Sequence, residues 1–465
     1  MPLNIVILAA GLGTRMHSNK PKVLHQIGGI SLLERVIQTA QQLNPEKIFV
    51  VYGHGGAEIQ QQLSHYAVQW VEQKQQLGTG HAVMQVLPDL NNSQLNSGIN
   101  HSSQKILILY GDVPLITSTT LNNLLNEVSD DALGILTVKL NNPTGYGRII
   151  RDNKENVIAI IEDKDANNDQ KTIQEINTGI IATSVDNLIK WLPQISTNNS
   201  KQEYYLTDIV KLAVNDHKKI IGFQTYQIEE TQGINDRVQL AQAERFYQQQ
   251  MAQQLMLSGV TIIDPARFDL RGSCEIKTDV IIDINVILEG HVVIGKNSYV
   301  GANCILRDVI IGESVEIKPN SVIEGATIHN NCKIGPFARI RPNSVLAENS
   351  AIGNFVEIKN STIGIASKIM HLAYIGDTTM GQYVNVGAGT ITCNYDGINK
   401  HRTIIGNNVF IGSDTQFIAP VTIADGATIG AGSTITKDVP ADQLTLSRVA
   451  QKTIDGWKRP EKKDK

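Results

Sequence analysis

Residues Ile334–Ile358 read IGPFARIRPNSVLAENSAIGNFVEI, with an aliphatic side chain at every sixth position: Ile334, Ile340, Leu346, Ile352 and Ile358. The same step sets Ile276, Ile282, Leu288, Ile294 and Val300, and then Ile305, Ile311, Ile317 and Ile323. It resumes at Ile405, Ile411, Phe417, Ile423, Ile429 and Ile435. Glycine often follows directly, as in Ile294-Gly295, Ile311-Gly312 and Ile334-Gly335. Short-period repeats of this kind mark a solenoid whose stacked coils bury one continuous core. Six is even, so successive repeat residues point to one face of short strands. Gly, Asn and Asp supply corners, where positive φ is cheap. This half is expected to be a parallel β-helix.

The pattern breaks once, at Gly389–Arg402, GTITCNYDGINKHR. An insertion at a coil corner leaves a stacked core undisturbed, so a scaffold tolerates it. The turn formers Asp396-Gly397 are expected to project it from the surface.

The front half has another grammar. Apolar runs such as NIVILAA, KIFVVYG, KILILYGD and LGILTVKL alternate with amphipathic patterns such as SLLERVIQTAQQL and TDIVKLAVND. Continuous apolar strands separated by helices indicate an α/β domain with a parallel sheet covered on both faces. Ligands bind such sheets beyond the carboxyl ends of the strands. Between the halves, NDRVQLAQAERFYQQQMAQQLML has no Gly or Pro and reads as a connecting helix. The expected division is 1–234, a linker helix at 235–257, a β-helix at 258–445 and a tail at 446–465. That tail is basic and rich in helix breakers.

Bulk properties narrow the function. The chain has 465 residues, too many for one core, and a formal net charge of −4 with 18% charged residues. That balance argues for neither nucleic acid nor a membrane surface as partner. Four cysteines without CxxC spacing (Cys274, Cys304, Cys332, Cys393) suggest neither a zinc site nor a disulfide framework, and they fit a reducing compartment. The short apolar run Ile5–Ala10 has no basic flank and no spanning length, so a cytoplasmic protein is expected.

LAAGLGTRM, Leu8–Met16, leaves the first strand. It is neither a Rossmann fingerprint, since Met16 replaces the third Gly, nor a Walker loop. Its glycine-rich backbone can wrap a triphosphate, with Arg15 and Lys22 as counter-charges. Asp112, in YGD at the end of a strand, is a candidate Mg²⁺ ligand facing that loop. In the second half, Lys359, His371 and Tyr374 stand among the repeats, and His is the side chain suited to general-base work near neutral pH.

Taken in order, LAAGLGTRM…PKVLH, QLGTGHA, YGD, TGYGR, EINTG and the six-residue repeats resemble a known family from end to end. Its members are bifunctional enzymes of UDP-N-acetylglucosamine synthesis: an N-acetylglucosamine-1-phosphate uridyltransferase joined to a glucosamine-1-phosphate acetyltransferase. The resemblance implies a Rossmann-like nucleotidyltransferase domain followed by a left-handed β-helix of hexapeptide repeats, assembled as a homotrimer. It implies that Leu8, Ala9, Ala10 and Gly11 hold the UTP phosphates with Lys22, and that Arg15 stabilises the transition state. Leu12 stands where some relatives carry Lys. Gln73, Gly78 and Thr79 match the uracil segment, Tyr110 and Gly111 the strand end, and Gly147, Glu162 and Asn177 the sugar contacts. Asp112 and Asn235 match the Mg²⁺ pair.

For acetyl transfer the resemblance gives His371 as base and Arg341, Lys359, Tyr374 and Asn385 around the sugar phosphate. Ala388, Ser413, Ala431 and Arg448 match acetyl-CoA contacts, and Asn394 and Tyr395 in the insertion match substrate contacts in the same group. Substrates would be UTP, N-acetylglucosamine-1-phosphate, glucosamine-1-phosphate and acetyl-CoA. The tail would close over a neighbouring subunit's acetyltransferase site.

Two other readings compete with this one. One is a pyrophosphorylase whose β-helix is only regulatory, as in ADP-glucose or GDP-mannose relatives. The other is a structural β-helix protein with a degenerate nucleotide domain. His371, Asn385, Asn394 and Tyr395 separate the first reading from the regulatory one, and Arg15, Lys22 and Asp112 separate it from the structural one.

Overall fold

The computed structural model describes residues 2–90, 104–129, 131–460 and 462. The chain divides into two compact units, Met1–Tyr247 and Gln248–Lys465, and the division falls inside the helix Arg237–Leu257.

The first unit is built on a nine-stranded sheet. Its strands are β1 (Leu3–Ala9), β2 (Lys47–Tyr52), β3 (Gln69–Glu72), β4 (Lys105–Tyr110), β5 (Ala132–Lys139), β6 (Arg148–Arg151), β7 (Val157–Ile161), β8 (Glu175–Ser184) and β9 (Lys219–Thr225). The main path runs β9-β5-β8-β4-β1-β2-β3, with β6 and β7 as a hairpin against β8. β1 lies between β2 and β4, parallel to both. Its side chains alternate: Ile5, Ile7 and Ala9 enter one core, Val6 and Leu8 the other, so helices cover both faces.

The sheet is not parallel throughout, because β8 runs antiparallel to β4 and β5. The chain between β5 and β8 makes the β6–β7 hairpin and one short helix, Asn168–Lys171, so no long crossover restores the direction. β1 and β4 nonetheless end on the same edge, which places the loops after Ala9 and Tyr110 side by side.

In the second unit parallel ladders step once per coil. Ile281 pairs with Tyr299, 18 residues on, and Tyr299 with Glu316, 17 on. Each coil is thus about three six-residue sides. Ile282, Leu288, Ile294, Ile317, Ile323, Ile340 and Ile358 are fully buried in one continuous core. The step of six is not strict, since it shortens to five from Leu306 to Ile311, Ile323 to Ile328, Ile358 to Ile363 and Ile375 to Met380. Leu306 is fully buried while Ile305 is not, because the side from Leu306 to Ile311 is a residue short and turns at Asp308, φ +49°.

Corners fall on left-handed residues, mostly Asn and Asp. Asn285, Asn303 and Asn320 form one such column and bond to one another through their side chains. On Gly389–Arg402 the ladder step widens, from Asn385 to Phe410, and the buried positions continue on either side at Val386 and Ile411.

Candidate active sites

In the first unit the loop after β1 is shaped by close packing. Gly13 has φ +62°, and a Cβ there would lie 2.7 Å from the Lys22 Cβ. A side chain at position 13 would therefore push the loop off Lys22. A cavity of about 360 Å³ opens beside it. Of the residues expected to hold nucleotide, Leu8, Ala9, Ala10, Gly11, Lys22, Gln73, Gly78, Thr79, Tyr110 and Asp112 line this cavity; Gln76, the first residue of QLGTGHA, joins them, and Glu203 does so from outside the sequence motifs. Gly111 supports it from below: its N–H donates to the Leu8 carbonyl at 2.9 Å.

The charged groups form one chain. Lys22 Nζ is ion-paired with Asp112 Oδ2 and lies 3.2 Å from Asn235 Oδ1, to which Arg15 Nη2 also donates at 2.8 Å. Arg15 and Asn235 are 220 residues apart in sequence. Asp112 and Asn235 thus turn two oxygens onto one cationic centre.

The Gln73 amide, buried in the pocket wall, donates to the Gly78 carbonyl at 3.2 Å and lies 3.0 Å from His81 Nδ1. Gly78 has φ +113°, and a Cβ there would strike the Tyr204 backbone at 2.6 Å. Only glycine fits that turn.

The three sugar candidates also meet. Asn177 N–H donates to the Gly147 carbonyl at 2.9 Å, and Glu162 accepts from the Thr207 hydroxyl at 3.1 Å. A Cβ on Gly147 would lie 3.4 Å from a Glu162 oxygen. Burial pushes the Glu162 carboxyl up from its ordinary value, against the Thr207 bond and the Lys201 charge, which lower it. The Tyr110 phenol is also pushed up, first by burial and then by the nearby Glu162 and Asp112 charges. Tyr110 thereby joins the sugar cluster to the phosphate end of the cavity.

In the β-helix the expected residues fall into two groups on different ladders. The first is a set of cations around the insertion. Arg341 Nη1 donates to Glu357 at 2.8 Å, and Tyr374 pairs with Glu357 in register. Lys400, which no sequence motif marked, lies against Lys359. Its ammonium, then partial loss of solvent and the Arg341 charge, holds the Lys359 amine below the usual lysine range.

Asn394, buried, donates to Asp377 and sits 3.5 Å from the Tyr374 hydroxyl. Burial alone would raise the Asp377 carboxyl, but bonds from Asn360 and Asn394 and the charges of Lys359 and Lys400 keep it low. The insertion folds back through a Tyr395–Lys400 bridge around Asp396-Gly397, where Asp396 accepts from the Ile398 and Asn399 N–H groups. The His401 ring lies 2.6 Å from Asp396. Asn394 therefore stands with Tyr374 and the cations, while Tyr395 is exposed on the loop.

The second group is a column with one residue per coil. Asn354 pairs with His371, and the ladders Lys368–Asn385–Phe410–Thr428 carry the same register through Ala388, Ser413 and Ala431. Asp414 N–H donates to the Ala388 carbonyl at 2.7 Å, Gly432 N–H to Ser413 at 2.8 Å, and Arg448 Nη1 to Ala431 at 2.7 Å. His371 Nδ1 lies 2.9 Å from Asn354 Oδ1. Beyond Arg448 the described tail residues are exposed and without regular structure, and residues 461 and 463–465 lie outside the described residues.

A glycine-lined cavity with paired cations on an α/β sheet, followed by a coil-by-coil column with an exposed histidine, defines a nucleotidyltransferase fused to a hexapeptide-repeat transferase. Family models agree with both halves. A MobA-like NTP transferase domain matches residues 5–159, and a bacterial transferase hexapeptide model of six repeats matches residues 402–437. A GMPPB C-terminal domain model matches residues 270–350 and 322–416.

The bifunctional protein GlmU of Marinobacter nauticus is 50% identical over 461 residues, 99% of each chain. The chain belongs to the family of the bifunctional GlmU proteins. A solved nucleotidyl transferase from Methanothermobacter thermautotroptrophicus is 16% identical, covering 53% of this chain and 97% of its own, with a TM-score of 0.37. At that score the likeness carries no weight. Among the described residues no helix is long and apolar enough to cross a membrane.

Proposed function

We propose that this chain acetylates glucosamine-1-phosphate with acetyl-CoA and then transfers UMP from UTP to N-acetylglucosamine-1-phosphate, releasing pyrophosphate. The observation that carries this reading is the presence of two separate constellations in one chain. Arg15, Lys22, Asp112 and Asn235 converge at a cavity in one unit, and His371 heads a column in the other.

For uridyl transfer, the sugar phosphate oxygen attacks the α-phosphorus of UTP in line and pyrophosphate leaves. Catalysis of such a step is positioning and charge neutralisation, which explains the lack of a nucleophilic side chain. The backbone from Leu8 to Gly11 cradles the phosphates, Arg15 and Lys22 face the developing charge, and Gln73, Gly78 and Thr79 receive the base. Gly147, Glu162 and Asn177 receive the sugar. Asp112 and Asn235 fit Mg²⁺: both present hard oxygens to one point, where the Lys22 ammonium stands as a cation. Their small number suits an ion completed by phosphate and water. Bound there, Mg²⁺ would neutralise charge on the triphosphate.

For acetyl transfer, Arg341, Lys359 and Lys400 supply an anion site for the sugar phosphate, with Tyr374 and Asn394 beside it and Asn385 on the His371 column. The substrate ammonium first gives one proton to solvent. As the free amine attacks the thioester carbonyl, His371 takes a second proton from the same nitrogen, the C–S bond breaks, and the leaving thiolate takes that proton from His371. Small side chains at Ala388, Ser413 and Ala431 allow the pantetheine arm to approach, with Arg448 at its end and Tyr395 on the projecting loop. The cation group and the His371 column lie on different ladders, which supports a homotrimer whose neighbours complete each site; the setting is cytoplasmic, where both nucleotide and thioester are available.

Two assays test this reading. Glucosamine-1-phosphate with acetyl-CoA should release thiol, and UTP with N-acetylglucosamine-1-phosphate should release pyrophosphate. Pyrophosphate without thiol would leave the β-helix a regulatory part.

A further inference from the structure

We propose that Asn354 is a positioning residue for acetyl transfer: it accepts the Nδ1 proton of His371 and so leaves Nε2 as the nitrogen that takes the substrate's proton. This rests on the reading of His371 as the base.

The backbone sets up the pair before the side chains do. Asn354 and His371 are register partners in parallel strands, so their side chains leave the same face one coil apart, at the roughly 4.8 Å spacing of adjacent strands. The turn after each is held firmly. Phe355 and Leu372, which follow them, adopt φ +57° and +47°, and Leu372 N–H donates to the Asn354 carbonyl at 3.0 Å. Bulky side chains occupy that region only where the surrounding structure imposes it. Asn354 therefore holds the His371–Leu372 segment twice, by its backbone oxygen and by its side chain at 2.9 Å.

The donor accounting then decides the tautomer. Asn354 Oδ1 can only accept, so the facing Nδ1 carries the hydrogen, and a neutral imidazole has one donor and one acceptor. Nε2 is left with the lone pair. On the other side of His371 in the same column stands Ala388, whose methyl offers no competing bond. Free imidazole side chains favour hydrogen on Nε2, the form that cannot act as a base through that atom. Asn354 selects the opposite form.

An amide is also suited to the cycle. When Nε2 takes the proton from the attacking amine nitrogen, the ring becomes an imidazolium, with Nδ1–H still on Asn354. When the C–S bond breaks, Nε2–H returns its proton to the thiolate and the ring is again neutral. A neutral acceptor fixes the orientation through both steps and stabilises the charged ring less than a carboxylate would.

The test uses the full chain with Asn354→Leu, which is close in shape but has no acceptor, and Asn354→Asp, which keeps one. Supporting shell residues of this kind are worth about 10–100-fold. Asn354→Leu should lower kcat for acetyl transfer by about that factor, with both KM values within about twofold. Asn354→Asp should restore most of kcat, pyrophosphate release from UTP should be unchanged in both, and the temperature at which acetyl transfer is lost should match the parent's, which shows that the β-helix of both variants folds. A kcat for Asn354→Leu close to the parent's, or equal losses in the two variants, would overturn the proposal. His371→Ala separates the two levels. If it still acetylates, the reading of the base fails; if it is inactive while Asn354→Leu is fully active, only the role of Asn354 fails.

Discussion

The two sites are built by opposite means. At the nucleotide cavity, groups far apart in sequence converge: Arg15, Lys22, Asp112 and Asn235 come from three loops, and hydrogen bonds and one ion pair link them. On the β-helix, Asn354, His371, Ala388, Ser413 and Ala431 come together because one residue per coil recurs at one corner. A convergent site tolerates change in any one element poorly, since each group has a single source. A columnar site inherits its alignment from the core, and only the outward residues carry chemistry. The insertion combines both designs: it leaves the stack at one coil and brings Asn394 and Lys400 to residues of neighbouring coils.

The strongest way to break this contrast lies in the convergent site. Asp112→Ala should reduce pyrophosphate release by about 10³-fold, the size expected when a charge-positioning group is lost at a phosphoryl centre, with thiol release unchanged. Equal loss of both activities would show that the units are not independent.

A core change tests the columnar site next. Ile358 is fully buried, and Ile358→Ala should cost about 2–5 kcal/mol. Because coils contact chiefly their neighbours, the temperature at which acetyl transfer is lost should fall while that for uridyl transfer stays put. Parallel shifts in the two inactivation curves would contradict that separation.

Gly78→Ala has a narrower reach. With φ +113° and the Tyr204 backbone in the way, an added methyl must displace the turn that bonds Gln73. The KM for UTP should rise about 10-fold, the cost of one polar contact, with kcat little changed.

The smallest effect concerns Glu162. Its carboxyl is raised by burial, so the stability it contributes is present below the unfolded value and lost as pH rises through the folded one. At neutral pH the ionised group therefore costs stability. Glu162→Gln should raise the thermal midpoint slightly near pH 7, with the gain vanishing in acid, while the KM for N-acetylglucosamine-1-phosphate rises about 10-fold. A gain that persists in acid would assign the effect to packing.

The β-helix was legible in the sequence because its core repeats at a nearly fixed step. The exception, Ile305 in place of Leu306, arose where one side of a coil is a residue short, which periodicity cannot sense. The α/β class was legible from apolar runs, but the reversed β8 was not, since an antiparallel strand in the middle of a sheet is as apolar as a parallel one. Arg15, Lys22 and Asp112 stood out because charge at strand ends has few other uses. Lys400, Asp377 and Asn354 did not, because each depends on a neighbour 17 residues or more away along the chain. The spacing of 17 was present in the repeat, and reading the column upward from His371 would have reached Asn354.

The most direct test of a chain with two independent sites is His371→Ala, assayed for both reactions on one preparation. Thiol release from glucosamine-1-phosphate and acetyl-CoA should fall by about 10²–10⁴-fold, with pyrophosphate release from UTP and N-acetylglucosamine-1-phosphate unchanged. Retained thiol release, or loss of both reactions at unchanged thermal stability, would contradict the account.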